Sequence, residues 1–554
     1  MRTDHLSSNK KPIANDPSKI HHLLTYTNPS MELQYSTVSV SLLFTFLLFL
    51  FMFKKKASKL PPGPMKLPII GNMHQLSGPL PHHTLRDLAH KHGPLVHLRL
   101  GEISTIIVTS PEMAKEIMKT YDLNFADRPQ TMGVKIFTYN CADMAFAPHG
   151  EFWRQLRKVC ALELFSTKRV ESFQFLREEE VSNLIQSVYA EIDSPINLSK
   201  KILSMTNNII ARAAFGKKCK DQERFLTALR EAVALAGRFH GTDFFPSWKF
   251  LHCFSRIKSQ MEIVQRKLDG IFNDIIEDHR QKIMTAQTTK GGQEGKDEDL
   301  IDVLLRIQQH RELGFPVTTD NIKGVIFLLK GESWKIAVSE TKFILENVLK
   351  DIFIGGTETS SATLEWAMAE LMRNPRVMEK AQAEVRQALN GKEVDERDTD
   401  KLNYLRLVIK ETLRLHPPLA LLVQRQGRER CEIAGYEIPE KTRVIVNAWA
   451  IGRDPRNWDD AESFKPERFD GSTLDFKGGN FEYIPFGAGR RICPGITFGL
   501  ANMVYPLALL LYHFDWKLPN EMEPKDLDMT ETFGASVTKR THLYLHARPS
   551  DSNA

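Results

Sequence analysis

The chain has few cysteines, and they follow none of the patterns that organise cysteines into a shared site. Six occur among 554 residues, without a Cys-x-x-Cys pair or a regular spacing, which argues against a zinc site and against a disulfide framework. We expect one to be a ligand and the other five to be free, mostly buried thiols in a reducing compartment. The six are Cys141, Cys160, Cys219, Cys253, Cys431 and Cys493.

The sequence also lacks an internal linker rich in proline, glycine or serine, and it lacks a repeat of about 20–50 residues. These absences exclude a repeat protein and argue against a split into two large domains. A strong charge of either sign is absent too. The net charge of +6 does not distinguish a nucleic-acid binder from a protein with basic faces. We expect no nucleic-acid partner and a monomer.

One long apolar run is present, from Val38 to Phe53, and a cluster of lysines follows it from Lys54 to Lys59. About 16–20 apolar residues just suffice to cross a hydrocarbon core as a helix, and positive charge on the C-terminal side keeps the following domain in the cytosol. A buried core helix would carry a polar face, and a cleaved signal peptide would need positive charge before the run. Residues 31–53 are therefore predicted to be a single-pass transmembrane anchor.

Two segments flank this run. Residues 54–72 are basic and then rich in proline, with Pro61, Pro62 and Pro64 close together. Because proline fixes φ and lacks an N–H donor, they predict a stiff, extended hinge. Residues 1–30 are polar and without periodicity, and Met31 has the character of a natural start. We interpret residues 1–30 as a disordered extension or as the product of an upstream start codon.

Helical patterns dominate the chain after residue 80, and short strand-like runs occur at residues 95–100, 105–108, 443–447 and 543–545. The two patterns differ in period, about 3.6 residues for helices and two for strands. The sequence therefore predicts a mainly α fold with a minor β-sheet region, extending over a catalytic body at residues 73–549.

The chemistry is concentrated in the ten residues from Phe486 to Gly495. They place Cys493 in a loop of small, turn-forming residues, beside Arg490 and Arg491. Cations and backbone N–H groups, which approach closely where glycine removes the Cβ, stabilise a thiolate there. A thiolate ligand pushes electron density onto a haem iron and favours O–O cleavage. The alternative is a structural cysteine in a glycine-rich turn.

The spacing Phe-x-x-Gly-x-Arg-x-Cys-x-Gly resembles the haem-binding loop of the cytochrome P450 family. This resemblance implies a cytochrome P450 fold with haem b as cofactor and Cys493 as the axial ligand of its iron. It also places Phe486, Gly489 and Arg491 in the haem-binding site.

A second motif is Trp153-Arg154-Gln155-Leu156-Arg157. Trp153 and Arg157 are four residues apart, so both project from one helix face, where they could bind anionic haem propionates. A surface Trp–Arg stacking pair is the other reading. The pattern resembles the family's C helix, which favours propionate binding by Trp153, Arg157 and Arg491.

A third motif is Glu411-Thr412-Leu413-Arg414, followed about 50 residues later by Phe464-Lys465-Pro466-Glu467-Arg468-Phe469. A Glu–Arg pair three residues apart is usually a solvated salt bridge of little energetic weight. The order of these motifs before the cysteine loop resembles the family throughout. The resemblance implies that Glu411, Arg414 and Arg468 form a buried structural network.

A fourth motif is Gly355-Gly356-Thr357-Glu358-Thr359, within a helical run from Ile352 to Leu371. Each mid-helix glycine costs about 1 kcal/mol relative to alanine, and such a weakness can mark a groove. A kinked helix with solvated side chains is the alternative. The motif resembles the family's oxygen-activating helix, with Gly355 in place of alanine, which implies that Glu358 and Thr359 manage protons.

Residues 328–350 interrupt this resemblance, because relatives would run from Phe327 directly into Asp351. We interpret this atypical insertion as an intron retained in frame. If it is translated, we expect it to bulge out between two halves of the central helix, since insertions are tolerated in loops and not within a packed core.

The resemblance covers nearly all of residues 31–549 and is closest to plant A-type enzymes of the 71 clan, in the 71D-like branch. It implies a monooxygenase of the endoplasmic reticulum membrane, with its catalytic domain in the cytosol and electrons from NADPH through cytochrome P450 reductase, which carries FAD and FMN. Apolar residues at 419–423 and 533–537 favour a lipophilic substrate, and we expect a plant terpenoid. The rivals are a haem isomerase or dehydratase without a reductase, and an inactive haem-binding protein if the insertion is real.

Overall fold

The computed structural model describes residues 39–46, 59–76, 78–217, 222–237, 241–248, 256–288, 299–303, 335–389, 395–534 and 536–550. Residues 1–30, Cys219 and Cys253 lie outside these ranges, so the expectations for them stay predictions. The chain divides into two compact units, Met1–Lys59 and Leu60–Ala554. In the first unit, residues 39–46 are helical and their side chains are exposed.

Helices make up most of the second unit, which confirms the mainly α prediction. We number them α1–α15 in chain order. They are Pro81–His92, Pro111–Lys115, Met132–Phe137, Glu151–Val159, Thr167–Ser172, Gln174–Tyr189, Leu198–Phe215, Gln222–Gly237, Gly241–Phe244, Arg256–Thr288, Lys335–Arg373, Pro375–Leu389, Asn403–Leu415, Ala448–Ile451 and Ile496–His513. Short π-helical turns at Glu116–Thr120 and Cys160–Leu164 extend α2 and α4.

The strands form small sheets. In chain order, β1–β11 are Leu95–Leu100, Ile103–Val108, Ile196–Asn197, Arg425–Gln426, Cys431–Ile433, Tyr436–Ile438, Arg443–Val446, Phe514–Lys517, Glu531–Phe533, Val537–Lys539 and Tyr544–Pro549. One sheet has the order β1-β2-β7-β4 and another β3-β11-β8, while β5-β6 and β9-β10 are two-stranded. The β2–β7 pair is parallel and the other pairs are antiparallel.

The main core surrounds α11, which packs against α7 and α15. The second half of α11 has no exposed face: the side chains from Ser360 to Leu371 are buried. A helix that is buried on all sides belongs to the interior of a fold. Helix α15 is also long and apolar enough to cross a membrane by composition, but it is mostly buried within the protein. Both helices are therefore core elements.

The expected bulge within the central helix is not observed in the described part of the insertion. Residues 335–350 are helical and continue into Asp351 without a break, so α11 extends over 39 residues. At the junction, Lys350 is buried, and its Nζ lies 3.3 Å from Asp269 Oδ1 on α10. The insertion thus supplies the first turns of the helix itself, because its residues include no proline to stop a helix.

The described part of the proline-rich segment lies against the first sheet. The amide of His97 donates to Pro62 O at 2.9 Å, and the amide of Asn72 donates to Arg99 O at 2.6 Å. A Cβ on Gly63 would come within 2.1 Å of His97 O. The segment is therefore fixed to β1 by backbone hydrogen bonds.

Candidate functional site

The loop around Cys493 is held in shape by its own backbone. The amide of Cys493 donates to Phe486 O at 3.0 Å, and that of Gly487 donates to Ile484 O at 3.0 Å. Gly487 and Gly489 have φ values of +71° and +69°, a left-handed region that favours glycine. The loop leads directly into α15 at Ile496.

Gly489 is required for a second reason, which is space. A Cβ at this position would lie 2.2 Å from Met118 O and 2.6 Å from Asp122 Oδ1. Asp122 accepts a hydrogen bond from the amide of Arg490 at 2.9 Å and forms an ion pair with Arg425 at 3.0 Å. Asp122 therefore fixes the position of the cysteine loop through these two contacts, which we call the Asp122–Arg425 clamp.

Arg425 completes this clamp. Its Nη2 donates to Ala488 O at 2.7 Å, and its side chain is buried. In the sequence it stands within Gln424-Arg425-Gln426, and this pattern gives no indication of a contact with a loop 63 residues away. Neither Asp122 nor Arg425 was identified from the sequence as a site residue.

The electrostatic surroundings of the Cys493 thiol act on its pKa in two opposite directions. Burial raises the pKa of the thiol, while the amide of Gly495 and the Arg157 guanidinium act in the opposite direction. Arg157 also donates from Nη2 to Ile492 O, the carbonyl preceding the cysteine. The cation beside Cys493 is thus Arg157 on α4, which was predicted to bind a propionate, while the role of Arg490 and Arg491 in stabilising the thiolate stays a prediction.

Trp153 and Arg491 meet beside the same loop. The Arg491 Cζ lies 4.3 Å from the centre of the Trp153 ring. Trp153 Nε1 donates to Met144 O at 3.0 Å, and Arg491 Nε donates to Ala126 O at 2.8 Å. Burial and the nearby Arg425 lower the pKa of Arg491 to about 10. The structure therefore gathers Trp153, Arg157 and Arg491, and propionate binding stays a prediction.

The two glycines of α11 differ in their surroundings. A Cβ on Gly356 would lie 2.7 Å from Ile210 Cδ1 on α7, whereas a Cβ on Gly355 would meet nothing within 4 Å. Gly356 thus permits the close packing of two helices, and Gly355 leaves the helix surface open. Thr359 Oγ1 donates to Gly355 O at 2.5 Å, which places its hydroxyl beside this open stretch.

Glu358 and Thr359 are both half-buried on α11. Both residues lie within one continuous helix. Thr357, the residue before this pair, is buried, and its Oγ1 has no hydrogen-bond partner. The carboxyl of Glu358 and the hydroxyl of Thr359 are therefore presented by neighbouring positions of α11, and their role in managing protons stays a prediction.

Glu411, Arg414 and Arg468 are brought together. Arg414 Nε and Nη2 each donate to a Glu411 oxygen at 2.7 Å, and both side chains are completely buried. Arg468 Nε donates to Glu411 Oε1 at 2.9 Å. The remaining donors of Arg414 reach Gly452 O, Ala461 O and Ser463 O. The pair is therefore a saturated buried network and not a solvated salt bridge.

The donor set around Cys493 fits a haem iron. Among the described residues, the clusters able to hold a metal by themselves are His82 with His83 and Glu531, and His279 with Asp299 and Asp302. Cys493 belongs to neither cluster, so it offers one sulfur alone. A zinc site needs three or four protein ligands, whereas a haem iron receives its other ligands from the porphyrin. Together the fold and this site define a haem-thiolate protein.

The chain belongs to the cytochrome P450 family. The family profile, described as Cytochrome P450, matches residues 61–345 and 341–546. The two matched segments meet inside the insertion at residues 328–350. Because the family binds haem through a cysteine thiolate, the protein is a haem-thiolate monooxygenase, and the assignment of Cys493 as the axial ligand stays a prediction. The resemblance seen in the sequence is thereby confirmed.

Several curated relatives match almost the whole chain. Desmethyl-deoxy-podophyllotoxin synthase of Sinopodophyllum hexandrum is 52% identical over 91% of this chain and 94% of its own length. Premnaspirodiene oxygenase of Hyoscyamus muticus is 51% identical, over 93% and 98%. Cytochrome P450 71D7 of Solanum chacoense is 50% identical, over 92% and 99%. The match to a 71D enzyme confirms the branch indicated by the sequence.

Solved structures agree on the fold. A zebrafish cytochrome P450 structure with progesterone superposes with a TM-score of 0.67 at 22% identity, covering 85% of this chain and all of the other. At this identity the likeness concerns the fold alone.

Proposed function

We propose that this monooxygenase hydroxylates a plant terpenoid, using O2 and electrons derived from NADPH. The observation that carries the proposal is the 51% identity, over nearly the full length of both chains, to an enzyme named for the oxygenation of premnaspirodiene. The synthase relative at 52% identity is named for a different type of product. The test must therefore include substrates that are not terpenoids.

The walls attributed to the substrate pocket support a lipophilic molecule. Leu419, Leu421, Leu422 and Val423 are partly buried apolar side chains before β4, and Phe533 at the end of β9 packs against the cluster of Ala420 and Trp449. No charged side chain occurs between residues 419 and 423. Such a wall selects a ligand by shape rather than by charge.

When bound, the haem supplies the activation of O2 and the transfer of one oxygen atom. The protein's part is to position and to move protons. Glu358 takes up a proton from water at its carboxylate, and Thr359 passes it on through Oγ1, the atom now hydrogen-bonded to Gly355 O. Trp153, Arg157 and Arg491 hold the propionates from the side of the cysteine loop. The buried α11 core keeps water away from the substrate.

The N-terminal region anchors the enzyme in the endoplasmic reticulum membrane as a single pass, with the catalytic domain in the cytosol. Residues 39–46 are helical, and their large apolar side chains are exposed, as expected of a segment that faces lipid. In the second unit, Met65, Leu67 and Ile69 are also exposed. Exposed apolar side chains that follow a membrane anchor in the sequence support contact with the bilayer.

Electrons arrive from NADPH-cytochrome P450 reductase. Arg154, Lys158 and Arg490 are exposed, on the helix and the loop that flank Cys493. A basic surface there suits an acidic face of the reductase and steers its encounter. We propose that the enzyme acts as a monomer that meets this partner transiently.

The substrate proposal is tested in microsomes that contain the enzyme and a plant reductase. Terpene hydrocarbons and phenylpropanoids are supplied in parallel, with NADPH present or omitted. We expect NADPH-dependent oxygenated products from a terpene. Products from phenylpropanoids alone would contradict the substrate class, and turnover without NADPH would favour the haem isomerase or dehydratase.

A further inference from the structure

A short turn between α3 and α4 is built around two carboxyl groups, that of the buried Asp143 and that of the half-buried Asp351. The amide of Met144 donates to Asp351 Oδ2 at 2.8 Å, and the amide of Ala145 also bonds to that carboxyl. The amide of Phe146 donates to Asp143 Oδ1 at 2.9 Å. Asp351 lies on α11, so the turn at residues 143–147 is tied to the central helix through its amides.

The backbone carbonyl groups of the same turn accept hydrogen bonds from a different set of residues. Met144 O accepts from Trp153 Nε1 at 3.0 Å and from Arg491 Nη1 at 3.4 Å. Ala147 O accepts from Arg491 Nη2. The turn therefore carries the acceptors that orient Trp153 and Arg491, while Asp351 holds the turn.

Asp351 also has a fixed relation to the proton-managing residues. It precedes Glu358 by seven residues, which is two turns of helix, so the two side chains share a face of α11. One helix thus connects the residues that move protons with those predicted to hold the propionates.

It would be energetically unfavourable for both carboxyl groups to be ionised in this arrangement. Asp143 is completely buried, and its Oδ2 has no hydrogen-bond partner. A buried, unsatisfied carboxylate oxygen is costly, and two ionised carboxylates close together repel each other. One proton shared between the two groups removes both difficulties.

We propose that Asp143 and Asp351 form a positioning pair that shares one proton and holds the turn at residues 143–147 against α11, so that Trp153 and Arg491 are aimed at the haem propionates. This inference rests on the proposed propionate role of those two residues. Neither aspartate touches the substrate or the reacting atoms.

The pKa values of the pair agree with this geometry. Burial raises the pKa of Asp143 to about 6. Burial and the charge of Asp143 raise the pKa of Asp351 well above its ordinary value. The other groups that face the pair come from several elements: Arg491 from the cysteine loop, Arg128 before α3, Lys350 on α11, Cys141 in the loop and Cys160 after α4.

The sign of the pH dependence follows from these directions. A carboxyl group whose pKa is raised in the folded protein stabilises it while protonated, and this contribution is lost as pH rises through the folded pKa. The step near pH 6 leaves the pair with its single shared proton, so the turn should hold through that step. It should loosen only at higher pH, where the shared proton leaves.

The test uses the complete, haem-loaded protein and two readouts across this pH range. One is the rate of haem transfer to excess apomyoglobin, and the other is the protection of the amides of residues 144–147 from hydrogen exchange, corrected for the intrinsic exchange rate at each pH. In the wild type we expect haem transfer to accelerate and protection to fall as the shared proton leaves. Asp351→Asn and Asp143→Asn keep an acceptor without the charge, so haem transfer should stay slow and protection high throughout.

Asp351→Ala removes the acceptor, and we expect haem release to be about ten-fold faster or more at every pH, with faster exchange at Met144. Asp470→Asn, at an exposed position, serves as the matched control and should change nothing. If Asp351→Ala does not fold, the double Asn variant still tests the shared proton.

The results separate this proposal from the propionate role. If Trp153→Phe leaves haem release unchanged, the propionate role fails, whereas amide exchange still reports on the turn. Unchanged exchange at Met144 in Asp351→Ala would overturn the positioning pair, and so would an Asp351→Asn variant that behaves like Asp351→Ala.

Discussion

At the residue scale, the site depends on atoms that motif spacing alone does not reveal. Gly489 was expected from the pattern around Cys493, but the pattern does not say that Met118 O and Asp122 Oδ1 fill the space of a Cβ. The motif residues could be predicted because their spacing is fixed along the chain. Asp122 and Asp351 could not, because each meets its partners across more than 200 residues, where local periodicity carries no information.

Gly489→Ala should prevent stable haem incorporation, because the new Cβ would overlap Met118 O at 2.2 Å and would sit at a φ of +69°. The control is Gly435→Ala, which also has a positive φ of +80° but has open space around it. That variant should lose only about 1–2 kcal/mol of stability and keep its haem. Haem content per protein, measured by absorbance, checks both. Equal haem content in the two variants would contradict the argument from space.

Glu411→Ala should lower the free energy of unfolding by about 3–5 kcal/mol, since it leaves the buried guanidinium of Arg414 and the partly buried one of Arg468 without their counter-ion. The matched control is Glu523→Ala, whose partner Lys525 is 74% exposed. An exposed pair contributes about 0–1 kcal/mol. Chemical denaturation measures both, and a small effect of Glu411→Ala would show that the network is dispensable.

At the scale of elements, the central helix departs most from expectation. Helices α4, α11 and α13 lie where the motifs indicated, and three of the four strand-like runs coincide closely with β1, β2 and β7. The bulge at residues 328–350 was wrong for residues 335–350. The expectation of a bulge follows from the cost of inserting residues into a packed core, whereas residues 335–350 form the start of the helix themselves.

We propose that residues 341–350 occupy the helix position that Thr318–Phe327 would otherwise take, since the family profile matches the chain up to residue 345 and again from residue 341. In a chain lacking residues 328–350, Thr318–Phe327 would run directly into Asp351. We therefore expect the shortened and complete chains to bind haem equally, as measured by pyridine haemochrome. Loss of haem from the shortened chain would mean that the fold requires the insertion. A complete chain without haem would favour the alternative of an inactive protein.

The two glycines of α11 give a sharper test of this helix. Gly355→Ala should raise the free energy of unfolding by about 0.5–1 kcal/mol, because alanine is the better helix former and its Cβ meets nothing within 4 Å. Gly356→Ala should show no such gain, because its Cβ would press against Ile210 at 2.7 Å. Thermal unfolding of the two variants compares them directly, and equal stabilisation would contradict the packing of α7 on α11.

At the scale of the whole molecule, contacts distant in sequence join the N-terminal and C-terminal parts of the catalytic body. His82 and His83 on α1 both hydrogen-bond to Glu531 Oε2 on β9, at 2.8 and 2.9 Å. The mainly α class with minor sheets was predictable from periodicity. Contacts such as these could not be predicted, because nothing in a single sequence links a histidine pair to a carboxylate about 450 residues later.

This contact predicts a dependence of stability on pH. Burial alone raises the pKa of Glu531, but the hydrogen bonds from His82 and His83 outweigh burial and hold it well below its ordinary value of 4.5. A carboxylate with a depressed pKa contributes stability above its unfolded pKa, and this contribution is lost as pH falls. The wild type should therefore lose stability below about pH 4.5, and Glu531→Gln should lose less over the same range. Denaturation series at several pH values check this, and parallel losses would contradict it.

The central claim is that Cys493 is the sulfur ligand of a haem iron. The most direct measurement is the carbon monoxide difference spectrum of the reduced protein, compared between the wild type and Cys493→Ala in microsomes of equal protein content. The account predicts the red-shifted band of a thiolate-ligated haem in the wild type and its complete loss in Cys493→Ala. A variant that keeps this band, or a wild type whose haem shows nitrogen ligation, would contradict the account.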